Sequence, residues 1–533
     1  MPTSVQKIVV CMILIAIAAV AFWPAFRSPG VPMDEGMVLV YPELLLKGYL
    51  PYRDFESITP PTNPLILAVA YATFGTSIFV ERAVGLTYRL LIVLAVFGIA
   101  QRWGILISSG CAFAVAVLLG STDLWANTWY PGIAFALCSF WAAANVASRW
   151  RCILSGLLAG LAATTRFDLG PALAISLLPL FISMDRRDKL FFLAAGVVGL
   201  LPLIWITIAV GAPLIFYSLF VFPVFHLNAG RHLPIQQASS ELIHLLVFQI
   251  VASLVAVLAA VAQYRKRDAR ASGHLLLGIA IFGLALIHYA WERFDSGHAI
   301  NAALVALSFL PLSIFVALAE VRKFTPRRTL AATTAILIAL FALHLIVPTY
   351  ARYFYRNLQV MARLAPPRHA TKNGEELEPG DDGFFITHNG RSFPFGFPYA
   401  ADEADKVLSE LERVGVPGQR LLVGPGDLRM TNYCDTYIYY LEPQLIPATY
   451  FLEMDPAWAK GPGSRLARDV ASADWLILNR RWDFLSEANA SIRQGSSEPN
   501  QVLKQDFELW WEHGAYLLFR NKKLNNAVMQ PAP

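Results

Sequence analysis

Residues 31–55 read VPMDEGMVLVYPELLLKGYLPYRDF, and they follow an apolar run that closes on Phe22-Trp23-Pro24. That order decides the fold class. A run apolar enough to enter a bilayer gives way at once to the adjacent acids Asp34-Glu35. Next comes Met37 to Lys47, whose apolar and polar positions segregate as in a helix lying in the membrane interface. Gly48-Tyr49-Leu50-Pro51-Tyr52-Arg53-Asp54-Phe55 ends that stretch. Pro60-Pro61-Thr62-Asn63-Pro64 then opens Leu65 to Phe74, apolar but too short to span. The first outer loop, 24–81, is far richer than a connector needs to be.

The rest of the chain agrees. Of 533 residues, 56% are hydrophobic and 15% charged, against about 25% charged in soluble domains. Spans are expected near 7–23, 82–100, 104–120, 130–148, 152–165, 169–184, 190–210, 242–262, 273–291, 299–320 and 329–350. A soluble globular protein, a disordered chain, a disulfide scaffold and an ordinary nucleic-acid binder are excluded. The five cysteines match neither a bridge pattern nor a zinc spacing. The short pair at 152–184 reads as a hairpin of helices reaching a wet cavity.

Alternate connections are basic: Arg102; Arg149 and Arg151; Arg186, Arg187 and Lys189; Arg265 to Arg270; Arg322 to Arg328. With Lys7, they place the N-terminus in the cytoplasm and the acid-rich loops and the tail outside the cytoplasmic (inner) membrane. Residues 361–533 hold 23 Asp/Glu against 18 Lys/Arg, and a linker is expected at 351–383. The transmembrane domain is thus 1–350 and the extracytoplasmic domain 384–533. The tail reads as α/β: a helix at Ala401 to Val414, strands at Arg420 to Val423, Trp475 to Leu478 and Ala515 to Phe519, and a helix from about Arg465. Gly424-Pro425-Gly426 fits a structural turn better than a phosphate loop.

Charge converges on the outer face. Asp34-Glu35 alone is as compatible with a solvated helix N-terminus. It has company, however: Asp123 in the otherwise uncharged Ser121 to Tyr130 loop, Arg166-Phe167-Asp168, and Glu292-Arg293-Phe294-Asp295-Ser296-Gly297-His298. Arg82 and Arg89 share one face of span two. An intramembrane arginine either lines a polar cavity and binds an anion or pairs with a neighbouring helix. His226, Arg231 and His232 carry a weaker signal, as interfacial loop residues.

These elements together resemble a membrane glycosyltransferase of the GT-C fold, in the branch of the protein O-mannosyltransferases and the aminoarabinose and lipopolysaccharide-core transferases. The likeness rests on Asp34-Glu35 after span one, the helix ending Lys47-Gly48, Pro60-Pro61 before a short helix and Gly75, Glu81-Arg82 opening span two, and Ser155 to Ala162 running into Thr165-Arg166. Beside the reading of a polytopic α-helical membrane protein with about eleven transmembrane helices and a C-terminal soluble α/β domain, the likeness, over roughly residues 1–210, implies an inverting transfer from a polyprenyl-phosphate sugar to a glycan, lipid or protein acceptor outside the cytoplasm. Asp34 is then the expected general base and Glu35 orients it or the acceptor. Arg82, Arg89, Arg166 and Arg293 are candidates for the donor phosphate. Tyr52, Arg53, Asp54, Asp295 and His298 are expected to contact substrate. No organic cofactor is implied. Asp34 and Asp123 could ligate Mg²⁺ or Mn²⁺, and the need for a metal stays open. A lipid-linked polysaccharide ligase or polymerase and a transporter are the rival readings.

Overall fold

The computed structural model describes residues 4–144, 148–321, 328–368, 381–454, 458–461 and 463–524. Each of the eleven apolar runs becomes helical. Among the described residues, seven helices are long and apolar enough to cross a membrane, or eight if the bent pair Arg186–Gly199 and Leu201–Val210 is one span. Ile105–Leu119 and Leu169–Ser183 are shorter apolar helices. The 322–327 part of the last basic connection lies outside the described residues.

One long helical segment was not expected. Residues 212–237, read as loop, reach membrane-spanning length and hydropathy, but the contacts run sideways. Ile215 and Leu219 pack on Tyr52 and Ile206, and Phe222 lies 3.6 Å from the Trp458 ring of the C-terminal domain. Two π-helical turns, Tyr217–Val221 and Pro223–Leu227, break its regularity. The segment thus packs both on Ile206 of the bent helix pair and on Trp458 of the C-terminal domain. His226 and Arg231 sit on its helical turns, and His232 follows in extended backbone.

Close approach in the bundle depends on glycine. The helices Arg149–Ala163 and Arg186–Gly199 pack with Gly156 and Gly160 facing Phe192, Gly196 and Gly199. A Cβ on Gly160 would meet the backbone of both Gly196 and Gly199. This is small-residue packing, which lets helix backbones touch where lipid supplies no hydrophobic drive.

The first outer loop folds as two helices, Asp34–Leu46 and Thr62–Phe74. Asp34 and Glu35 occupy the first turn, where the helix dipole favours acids. Asp34–Leu46 is covered on more sides than an apolar face alone would require. Val38, Leu39, Val40, Tyr41 and Leu44 are all buried, and most of them belong to one core with Phe393, Tyr437 and Tyr440 of the C-terminal domain. The helix is sandwiched between bundle and domain, so apolar residues are needed around more of its circumference than a one-sided membrane helix requires.

The linker also starts later than 351. Pro348–Met361 is a helix packed on the bundle through Tyr350, Ala351 and Phe354; residues 369–380 lie outside the described set. Beyond it, β1 (Phe384–His388) and β2 (Arg391–Phe395) form an antiparallel hairpin. Its Asn389-Gly390 turn has φ of 51° and 72°, the both-positive pair that a two-residue hairpin turn demands and an overlooked sequence signal. A five-stranded mixed sheet follows in the order β4-β3-β5-β7-β6, from β3 (Arg420–Pro425), β4 (Ile446–Pro447), β5 (Trp475–Asn479), β6 (Phe507–His513) and β7 (Tyr516–Asn521). Every residue of central β5 is buried. The Gly424-Pro425-Gly426 turn is structural: Gly426 N–H donates to Asn479 O and Asp427 N–H to Asp483 Oδ1.

Replacing Gly160 by Val should force the two glycine-faced helices apart and destabilise the bundle by about 1–3 kcal/mol. A lowered melting temperature in detergent is the readout, with Gly390→Asn, at an open turn with no neighbour within 4 Å, much milder.

Candidate active site

A cavity of about 1830 Å³ opens between the helical bundle and the C-terminal domain. Its walls come from the start of the first juxtamembrane helix, the 121–130 loop, the 166–168 turn, the 219–232 segment, the 285–301 region and the C-terminal domain. Asp34, Asp123, Arg166, Asp168, Arg293, Asp295 and His298 all line it. Six of the sequence-derived site residues thus meet in one space: Asp34, Asp123, Arg166, Arg293, Asp295 and His298.

The other six do not line it. Glu35 and Arg82 are each 1% exposed and bind one another bidentately, Arg82 Nε to Glu35 Oε1 at 2.7 Å and Nη2 to Oε2 at 2.9 Å. Arg82 Nη1 donates to the carbonyls of Ala25, Phe26 and Ser28, where span one ends. Glu35 also accepts from Val31 N–H. Arg89 is fully buried; it donates to the carbonyls of Gly85, Asp123 and Leu124, and its guanidinium lies 3.8 Å from the Tyr130 ring centroid. Neither arginine is placed to meet a phosphate. Both bind carbonyls of neighbouring segments, close to the pairing alternative left open for Arg89.

Tyr52 is 1% exposed, with φ of 70°. Its hydroxyl donates to Thr59 O, and its own carbonyl accepts from Tyr450, contacts that hold this strained backbone in place. Arg53 and Asp54 form a surface pair at 2.8 Å, and Asp54 Oδ2 accepts from Leu50 N–H. The three therefore shape the loop and stay outside the cavity.

Asp34 is presented by its neighbours. Glu35 points into the protein towards Arg82, and one position earlier on the same turn Asp34 faces the cavity. Tyr433 of the C-terminal domain donates to Asp34 Oδ2 at 3.2 Å and accepts from Met33 N–H at 3.2 Å. Its ring lies 4.6 Å from Trp482, and both line the cavity. Burial, with Glu35 adding to it, pushes the Asp123 carboxyl up to about 6 despite Arg82 and Arg89.

The cationic groups are braced. Arg166 binds Asp168 through Nε and Nη2 and sits 4.5 Å from the Tyr289 ring centroid, which leaves Nη1 outside that fork. Arg293 Nε donates to Asp295 Oδ2 at 2.7 Å and Nη1 to Glu487 Oε2 at 2.7 Å. Burial opposes ionisation of Asp168, but Arg166 and then His288 hold it well below the usual carboxylate range. Asp295 is likewise held low, by His298 and Arg293 against burial. The site therefore combines charge-stabilised acids beside its arginines with Asp123, whose carboxyl is pushed the other way.

Sequence reasoning missed the contribution of the C-terminal domain: Tyr433, Trp482 and Glu487, with Glu453, which lies 3.9 Å from Arg231. No local pattern marks them, since Tyr433 reaches a residue 399 positions away.

No family model matches this chain, and neither does any curated protein. Solved structures do. A crystal structure of ArnT from Cupriavidus metallidurans bound to undecaprenyl phosphate aligns with TM-score 0.54 at 12% identity, over 97% of this chain and 98% of that one. The same protein in its apo state gives 0.52 at 13%, over 99% and 100%. An Archaeoglobus fulgidus oligosaccharyltransferase aligns at TM-score 0.46 and 12% identity, over 98% and 75%, too distant to weigh. The chain thus has the GT-C fold, that of a polytopic membrane protein with a C-terminal soluble domain. At this identity the likeness extends to architecture and no further.

Glu35→Gln or Arg82→Ala should each cost about 3–5 kcal/mol, because the remaining partner stays buried and charged. Thermal unfolding in detergent should show a large drop for both variants and almost none for Arg53→Gln, whose ion pair is exposed.

Proposed function

We propose that this protein transfers a sugar from a polyprenyl-phosphate donor to an acceptor hydroxyl at the outer face of the cytoplasmic membrane, with inversion. One observation carries the reading: Asp34 and Asp123 share a single cavity with Arg166 and Arg293, at the junction of a membrane bundle and a soluble domain. An amphiphilic substrate needs such a place, with apolar walls for the lipid and charges for its head. ArnT, whose architecture this chain shares, has been crystallised with undecaprenyl phosphate, which supports a lipid phosphate as the donor carrier.

The chemistry is a single displacement. The acceptor oxygen bonds to the anomeric carbon as that carbon's bond to the phosphate oxygen breaks. Asp34 takes the acceptor proton, and the electron pair leaves with the lipid phosphate. Tyr433 holds one Asp34 oxygen and leaves the other for the acceptor. The leaving phosphate gains charge, which Arg166 and Arg293 can stabilise from braced positions without reorganising. Asp295 and His298 line the same cavity and are assigned to substrate contact. Arg82, Arg89 and Glu35 are assigned to support, and Tyr52, Arg53 and Asp54 to loop structure.

Asp34 and Asp123 fit a hard divalent cation such as Mg²⁺ or Mn²⁺, which takes one or two carboxylates and completes its shell with substrate phosphate and water. Such an ion would supply positive charge beside the phosphate. Orientation follows the basic connections: N-terminus cytoplasmic, C-terminal domain outside. Residues 212–237, flanking the cavity on the outer side, leave that orientation unchanged.

The reading is tested by purified protein in nanodiscs supplied with a panel of polyprenyl-phosphate sugars, scoring release of polyprenyl phosphate. Asp34→Asn should lower release by about 10²–10⁴-fold, and Arg166→Gln by about 10²–10³-fold. Arg53→Gln should leave it unchanged, and loss of release in EDTA would assign the cation. No release from any donor, even after a native-membrane extract is added, would remove the transferase reading. A reporter fused after Pro533 should be active on the extracytoplasmic side; cytoplasmic activity would reverse the orientation.

A further inference from the structure

The β1–β2 hairpin places His388 at the end of β1, just before the Asn389-Gly390 turn. The chain then runs into the helix Pro398–Val414, which brings Asp405 and Glu412 to the same imidazole. Glu442, at the C-cap of the short helix Tyr437–Leu441, closes the third side. One ligand atom from each of His388, Glu412 and Glu442 lies within 4.8 Å of the other two, the group of this kind found among the described residues. None of the three lines the large cavity.

Two features distinguish this cluster from an ordinary patch of acids. Glu442 is 1% exposed, and its Oε1 is buried with no hydrogen-bond partner. Its other oxygen accepts from Gln444 Nε2 and Asn389 Nδ2. A buried carboxylate oxygen without a donor is costly unless a cation occupies the space before it. The histidine is also oriented as a metal ligand would be. His388 Nε2 meets Asp405 Oδ1 at 3.1 Å, and Nδ1 lies 3.2 Å from Glu412 Oε1. A histidine ligand usually donates its second ring N–H to a carboxylate, which fixes the tautomer and turns the other nitrogen to the metal. Two ligand atoms of a tetrahedral ion with bonds of about 2.0–2.2 Å sit about 3.3–3.6 Å apart, close to the 3.2 Å between His388 Nδ1 and Glu412 Oε1.

We propose that His388 Nδ1, Glu412 and Glu442 form a site for one divalent transition-metal cation of the zinc class, with Asp405 as the orienting carboxylate. The mixed imidazole and carboxylate set suits such an ion better than Mg²⁺ or Ca²⁺, which take oxygen ligands. The site joins the hairpin, the long helix and the Tyr437–Leu441 helix. Three residues beyond His388, Arg391 grips Glu43 of the juxtamembrane helix at 2.6 and 3.1 Å. A bound ion would therefore stiffen the clamp on the helix whose first residue is Asp34.

The test is metal content of the full-length protein in detergent, equilibrated with micromolar Zn²⁺, desalted and measured by mass spectrometry, with Mg²⁺ in a parallel arm. Wild type should retain one equivalent of zinc at this site, not displaced by magnesium, and Asp34→Asn should keep that equivalent. Glu442→Gln and His388→Ala should lose it, and Asp405→Asn should weaken binding by about 10–100-fold. Monodisperse elution qualifies each variant as folded; a variant that fails is replaced by Glu412→Gln, also expected to lose zinc. Wild type without zinc overturns the proposal, as does zinc that survives in Glu442→Gln or disappears in Asp34→Asn.

Discussion

The Glu35–Arg82 ion pair is the constraint on which the site is built. Both groups are buried where charge is poorly solvated, so their attraction is strong and neither can be left alone. Arg82 also takes three carbonyls at the end of span one, and Glu35 accepts from Val31. The pair therefore fastens the second span, the turn after the first span and the start of the juxtamembrane helix into one unit. Asp34, the neighbour of Glu35, is carried to the cavity as a consequence.

The C-terminal domain completes that arrangement from the other side. Tyr437 N–H donates to Pro32 O, and Tyr433 bridges Met33 and Asp34. Gly30 and Gly383 join the hairpin and the first loop through backbone hydrogen bonds. Asp34 is consequently held on both sides, by a membrane helix through its neighbour and by a soluble domain directly. A reaction that needs a carboxylate and a phosphate-binding arginine at fixed positions gains from such bracing, because a misplaced group loses much of its effect. Arg166 and Arg293 are likewise held in ion pairs, which fix their orientation.

Much of this was legible from residues 31–55 and the apolar runs. The helical bundle, the two short outer helices, the α/β tail and the meeting of Asp34, Asp123, Arg166, Arg293, Asp295 and His298 follow from hydropathy, charge placement and family likeness. Less was legible wherever two identical residue types had different fates. Arg82 and Arg166 read alike in sequence, yet one is enclosed by Glu35 and three carbonyls and the other lines the cavity. Tyr52-Arg53-Asp54 reads as a polar recognition loop, but Tyr52 is buried as a loop anchor and the other two form a surface pair. The 212–237 segment reads as a loop with scattered charge because its prolines and polar residues mask a helix interrupted by π turns.

Sequence alone determined that this chain enters the membrane many times, and that basic residues fill alternate connections while acids gather in the others. Those properties follow from transfer free energies and charge asymmetry, which are summed residue by residue along the chain. Only the tertiary structure decided which charges face the cavity and which are neutralised inside the protein. The reason is that each choice depends on a partner far away in sequence: Arg82 lies 47 positions from Glu35, and Tyr433 lies 399 from Asp34. Electrostatics falls off with distance in space, and local composition carries no record of that distance.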